Sequence, residues 1–434
     1  MKTTRLLATT TALSLCFASA WADDNSTFLA QDAGEVSSNS ALITQDGTDN
    51  SVGQDSASGV GLDRPFRQVT TNGLGNSLVI LQQGDNNRIG VSGAQSRQQS
   101  FRGDGNDAVF TQLGDNNLVG STGQESRGSS GSSNSLTVLQ GSDDGLGATT
   151  GSNEIGQIFQ RTGNSGSNSA TIQMTGDSNR LDSSRQFTDG DVGDNTINLT
   201  ISGDNNGRRD LSGFALAAAG GDEGTKVGQG GLFGVADGDN SINVVVSGNN
   251  NSFGIYQDGD GNDVGSVTVT GSDNDLGISQ SGTSNLVTLA VVGGNFNNVG
   301  ISQVGTNFAD VSIVGSSNEL SITQSGTNGD GSDGFGVSFD LTGDGNGVGL
   351  FSGAADAVGL TNGTITQDGA GNLFNAVMDT SMSNFAGSQI GSDNFATVSV
   401  SGGNMNQFAV AQAGDSNIAN LSQTGSSNNA GISQ

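Results

Sequence analysis

Polar and apolar residues alternate with a period of two through much of the chain's second half. Asn240, Ile242, Val244 and Val246 share one parity, and Ser241, Asn243, Val245 and Ser247 share the other. That is the period of a β-strand, so each run predicts a short strand with one packed face and one mostly polar face. Every run is closed by a glycine with small or polar followers, as at Gly248, Gly259, Gly271, Gly282, Gly305, Gly315, Gly414 and Gly425. Such residues accept positive φ and make close turns, so these glycines are expected to reverse the chain. A helix is excluded, because a glycine about every eleven residues would break it.

The strands recur. Aligned on Asn240, Asn251, Asn274, Asn285, Asn417 and Asn428, the segments share the form N-x-φ-x-φ-x-(Q/V/I)-x-G, with about two residues before the next Asn. The longer string Q-x-G-x-x-N appears at Gln45, Gln82, Gln112, Gln257, Gln280 and Gln412. The sixth place after each Asn alternates through Val246, Gln257, Val269, Gln280, Val291, Gln303, Ile313 and Gln324. Two successive strands therefore make one coil of about 22 residues, and stacked coils would put Gln over Gln in one sheet and Val or Ile in the other. The expected fold is all-β: a two-sheet β-solenoid of strand-turn-strand coils with loop insertions. Inward amides would be costly alone but can pair with the identical group one coil on. The expected ladder residues are the six asparagines above with Gln257, Gln280, Gln303, Gln324, Gln412, Gln423 and Gln434.

The register lapses in places. The stretch from about Gly207 to Gly238 drops the Asn beat, and shorter lapses follow Asn50, Asn87, Asn117, Asn179 and Asn346. These are expected as loops pushed out of the coil, tolerated because closure entropy grows slowly with loop length. "FALAAA" within the first is compatible with a short helix. The resulting organisation is an acidic segment at 23–38, interrupted repeats at 39–238, regular repeats at 239–328, interrupted repeats at 329–390, and regular repeats at 391–434.

The N-terminus carries two cations, a short apolar run from Leu6 to Phe17, and "ASAWA", the pattern of a signal peptide spanning 1–22 with cleavage after Ala20 or Ala22. Cys16 lies inside it, so the mature chain is expected to be cysteine-free and exported. No later run is long and apolar enough for a membrane span.

Composition narrows the chemistry. The 434 residues include no His, so a Ser-His triad, a histidine metal site and imidazole acid-base catalysis are all excluded. The net charge is −29 and every Lys or Arg lies at or before Lys226, which makes nucleic acid an unsuitable partner. "GDGND", at 103–107 and 259–263, has the flavour of calcium-binding β-roll turns, but the interval here is eleven rather than nine. Outward positions are too mixed for an ice-binding threonine array, and Asp143 with Asp144 reads as a solvated turn, not a glycosidase pair. No cofactor and no catalytic site is expected.

Gln412, Gly414, Asn417, Ala419 and Gln423, and again Gln423, Gly425, Asn428, Ala430 and Gln434, follow Q-x-G-x-x-N-x-A-x-x-x-Q. On these residues the chain resembles the curlin-repeat family, the subunits of bacterial curli fibres. The resemblance implies a secreted amyloid subunit that polymerises with copies of itself in the extracellular matrix, serving adhesion and biofilm cohesion. It also implies an outer-membrane secretion pore and a nucleator subunit as further partners. The chain departs from the family in its length, its insertions, and the Val or Ile at many Gln positions; 23–38 lacks a Gly-rich look. The C-terminal coil ending at Gln434 is expected to recruit the N-terminal coils of another copy. The alternative is a soluble, capped β-solenoid acting as a secreted calcium- or carbohydrate-binding module.

Overall fold

The computed structural model describes residues 7–8, 25–33, 38–53, 66–71, 74–90, 97–100, 105–126, 132–141, 151–163, 166–187, 193–221, 224–229, 239–292 and 294–434. Within these the protein is nearly all β, with parallel strand pairing throughout. The chain divides into two compact units, one of Met1–Arg208 with Lys226–Asn240 and one of Arg209–Thr225 with Ser241–Gln434. Most of the expected signal segment, and Asp143 with Asp144, lie outside the described residues.

In the second unit two series of strands alternate along the chain. The first series contains Ser252–Asp260, Asp275–Thr283, Glu319–Asn328, Thr364–Ala370, Asn384–Ser392, Gln407–Ala413 and Asn429–Ser433. The second contains Ser241–Ser247, Asp263–Thr270, Leu286–Val292, Gly336–Thr342, Leu373–Asp379, Phe395–Ser401 and Ile418–Thr424. The long strand Asn298–Val314 passes through both, pairing with Asp275–Thr283 at its start and with Leu286–Val292 at its end. Like residues pair with like: Gly277 with Gly300, Ile278 with Ile301, Gln280 with Gln303.

Burial follows parity, as a half-buried strand demands. In Ser241–Ser247 the residues Ile242, Val244 and Val246 are fully buried, while Asn243 and Val245 face out. The core is a thin file of such side chains, thickened by Phe339, Phe385 and Phe408; the first two ring centroids are 4.9 Å apart. Several first-series strands break the alternation: the first four residues of Ser252–Asp260 and of Asp275–Thr283 are buried on both faces. The cover is helix α1 (Gly213–Ala218), formed by "FALAAA" within the longest lapse. A second helix, α2 (Gly353–Asp356), occupies the lapse after Asn346 and lies on Gln407–Ala413 and Asn429–Ser433.

The first unit differs from the two-strand expectation. Ahead of the strands Leu29–Ala33, Phe66–Thr70, Arg97–Ser100, Gly123–Ser126, Ile158–Thr162 and Ser183–Phe187 stands a third series of two-residue strands: Ser26–Thr27, Ser51–Val52, Arg88–Ile89, Leu118–Val119, Glu154–Ile155 and Arg180–Leu181. The lapses after Asn50, Asn87, Asn117 and Asn179 are therefore not wholly loops. Each begins with a paired strand because its second residue, Val52, Ile89, Val119 or Leu181, is fully buried and belongs to the core. The step between successive rungs is correspondingly longer than 22, with Gln45, Gln82 and Gln112 separated by 37 and 30 residues.

Candidate functional site

The surface of a repeat chain is replicated at every rung, so its chemistry lies in what passes from rung to rung. In the second unit Gln257 Nε2 donates to Gln280 Oε1 at 2.8 Å, Gln280 to Gln303 at 3.0 Å, and Gln303 to Gln324 at 2.9 Å. The file continues through Gln367, Gln389, Gln412 and Gln434. Each amide spends its other hydrogen on a backbone carbonyl, as Gln280 does on Asp263 at 3.1 Å. Burial of these amides is tolerable because both ends are paired.

Two further files are made of asparagine, one at each turn. Asn274 Nδ2 and its backbone N–H both donate to Asn251 Oδ1 at 3.0 Å, and Asn297 and Asn318 repeat the contact. At the opposite turn Asn285 donates to Asn262 at 2.8 Å, and the file runs on through Asn307, Asn328, Asn372, Asn394 and Asn417. Asn240 stands in such a file in the first unit, donating to Asn195 at 3.1 Å. In the first of these files Ser383 replaces an asparagine between Asn346 and Asn406, and Asn428 resumes beyond them.

The files have opposite polarity. In the second unit a glutamine donates to the rung that follows it in the chain, and an asparagine to the rung that precedes it. Each rung thus presents a donor and an acceptor on either side, and only a rung in the same orientation matches both.

The turns hold this geometry. Gly248, Gly259, Gly271 and Gly282 have φ of 115°, 109°, 104° and 114°, and Gly305, Gly315, Gly414 and Gly425 are also positive. At Gly271 a Cβ would overlap the carbonyl oxygen of Gly294 one rung on, so the turn needs glycine for space as well as for φ. The residue just before the ladder Asn is left-handed too, as at Asn250, Asp273, Ser284 and Ser416, where short polar side chains are the tolerated choice.

Residues 248–282 match the curlin associated repeat. Comparison with curated proteins and with solved structures yields no match. The matched curlin repeat covers Gly248, Asn251, Gln257, Gly259, Asn262, Gly271, Asn274, Gln280 and Gly282, members of the glutamine file, both asparagine files and the turns between them.

Gln423 stands apart from the other C-terminal glutamines. It lies in the second series beside Val400, in the file of Val246, Val269, Val291 and Ile313, and its buried Oε1 has no partner. In the first unit Gln45, Gln82, Gln112 and Gln140 form an amide file of their own, linked at 2.8 Å before Met174 succeeds them. The ladder members Gln367 and Gln389 were not singled out from the sequence, although both sit in intact Q-x-G-x-x-N strings ending at Asn372 and Asn394.

Ionisable groups are peripheral to the files. Burial pushes the Asp275 carboxyl above its ordinary value, against hydrogen bonding by Ser212 and the charge of Arg209; burial likewise raises Asp263. At 259–263, Gly259 and Gly261 are left-handed turn residues and Asn262 is a ladder member. Among the described residues no group of three His, Cys, Asp or Glu is placed to hold a metal ion, and no helix is long and apolar enough to cross a membrane.

Proposed function

We propose that the chain is a curli-like structural subunit, without a catalytic site, that is exported and polymerises into extracellular amyloid fibres for adhesion and biofilm cohesion. The second unit is then a two-sheet β-solenoid with rungs of about 22 residues, and the first a β-solenoid of longer, three-strand rungs. The observation that carries this reading is the one-way glutamine file from Gln257 to Gln434 inside a chain with a curlin repeat. A rung so built offers its neighbour the same groups that it receives, so a rung of another copy in the same orientation can take that neighbour's place. The two opposed polarities make such addition directional. Partners are copies of the chain, with a nucleator subunit and an outer-membrane pore as the family analogy implies.

The test is assembly of the purified mature chain, with and without sonicated seeds, followed by thioflavin fluorescence and fibre diffraction. Seeded growth with a meridional reflection near about 4.8 Å is expected. A chain that stays monomeric for days, without thioflavin response and indifferent to seeds, would overturn the proposal.

A further inference from the structure

The two helical insertions are copies of one device. Asn206-Gly207 and Asn346-Gly347 each open the sequence N-G-x-x-x-φ-S-G-x-A, which closes at Ala215 in the first and Ala355 in the second. The backbone agrees as well: Ser212 and Ser352 have φ of −137° and −142°, and Gly213 and Gly353 have φ of +53° and +57°. Ala215 and Ala355 are both fully buried.

Their docking sites on the first series also correspond. Asn298 Oδ1 accepts from the Ala215 N–H at 2.9 Å while its Nδ2 donates to the Ser212 carbonyl at 2.9 Å. Asn429 Oδ1 accepts from the Ala355 N–H at 2.8 Å while its Nδ2 donates to the Ser352 carbonyl at 2.6 Å. One rung earlier, Ser212 Oγ donates to Asp275 and Ser352 Oγ to Gln407. Under each helix the strand carries glycine. A Cβ at Gly277, Gly300 or Gly431 would overlap the carbonyl oxygen of Ala215, Phe214 or Ala354 respectively.

This matters because the ladders do not identify rungs. Every first-series strand of the second unit offers a glutamine at the same place, so a rung could be looped out and its neighbours stacked directly with the glutamine file unbroken. Register in repetitive strands is weakly specified for this reason. The insertions do distinguish rungs. Moved one rung onward, α1 would meet Glu319 in place of Asn298 and Ser321 in place of Gly300. Glu319 has no amide donor for the Ser212 carbonyl, and a Cβ at 321 would fall where only glycine fits. Moved one rung back, α2 would meet Gln407 and Ala409 in place of Asn429 and Gly431.

We propose that the two insertions are matched clamps that count rungs: each grips an amide on one strand and the serine-binding side chain one rung before it, and so forbids rung skipping that the ladders would permit. The residues that set the register are then Asn298, Gly300, Asn429 and Gly431, none of them a member of an amide file. This holds within single molecules and does not depend on polymerisation.

Disulfide trapping tests it in the full chain carrying Cys16→Ser, whose only cysteines are those introduced. Ser279 and Ser302 are register partners on adjacent rungs, and Thr323 follows one rung on. Adjacent rungs lie about 4.8 Å apart, within disulfide reach, and alternate rungs roughly 9.6 Å apart, beyond it. With the clamp intact, Ser279→Cys/Ser302→Cys should link and Ser279→Cys/Thr323→Cys should not. Adding Asn298→Ala should raise intramolecular linkage of the alternate-rung pair roughly tenfold, as loss of two hydrogen bonds allows. If that variant fails to fold, Asn429→Ala provides the same reading, with Ala411→Cys/Ser433→Cys as the adjacent pair and Ser388→Cys/Ser433→Cys as the alternate pair. Alternate-rung linkage no higher than in the parent, with the adjacent pair fully linked, overturns the proposal.

Discussion

Replacing Gln280 with Met probes the amide file at a point where each consequence can be assigned to an atom. Gln257 Nε2 loses one acceptor but keeps the carbonyls of Ser241 and Asn262, both at 2.9 Å. The protein already tolerates that ending: Gln140 donates to the carbonyls of Leu118 and Asn153 and is followed by Met174. The other side is different, because Gln303 Oε1 receives its hydrogen bond from Gln280 and is fully buried. An orphaned buried acceptor costs about 1–3 kcal/mol, partly offset by the apolar gain of methionine, so a net loss of about 2 kcal/mol is expected. The double variant Gln280→Met/Gln303→Met moves the orphan to Gln324 Oε1 without adding a second one, so the further loss should stay below about 1 kcal/mol. Opening free energies of Asp275–Thr283 and its neighbours, from native-state hydrogen exchange with mass-spectrometric readout, measure both quantities. If the double variant loses the sum of two equal single losses to within about 0.5 kcal/mol, the assignment of the cost to the acceptor side is refuted.

Three other outcomes follow from the same structure. Gly271→Ala should destabilise its turn by more than Gly414→Ala. Both have φ above 100°, costing about 1–2 kcal/mol, but only Gly271 has the next rung's carbonyl against it, whereas the nearest atom at Gly414 is 3.8 Å away; equal losses in urea midpoint would contradict this. Phe385→Ala, between Phe339 and Phe408, should cost about 3–5 kcal/mol and expose Asn384–Ser392 to exchange; a loss below about 1 kcal/mol would show that the file of rings collapses to fill the gap. The Asp275 carboxyl, 4% exposed, has its folded pKa raised by burial above its ordinary value. Its contribution is therefore most favourable below that value and is lost as pH rises through the raised one. Asp275→Asn keeps one oxygen to accept from Arg209, presents an amide N–H to Ser212 Oγ in place of the second oxygen, and cannot ionise, so urea midpoints between about pH 4 and about pH 7 should fall less steeply than in the parent; unchanged steepness would mean another group dominates.

Near-neighbour chemistry could be read from the chain because it repeats locally. The two-residue parity of Ile242, Val244 and Val246, the glycines at the turns and the Q-x-G-x-x-N strings concern residues a few positions apart, whose steric and hydrogen-bonding preferences act within one strand and one turn. Even the stacking of Gln257 on Gln280 was accessible, since identical rungs leave one way of burying an amide with both ends paired. Three features were not. The third series of the first unit rests on single buried residues such as Ile89 and Leu181, too short a signal for periodicity to register. The direction in which each file donates depends on the orientation of amides already buried among their neighbours. The docking of Ala215 on Asn298 joins residues 83 positions apart, and its fit depends on an absent side chain at Gly300, which only the packed helix reveals. Local pattern thus dictates what a rung is made of, and contacts across many rungs dictate which rung lies beside which.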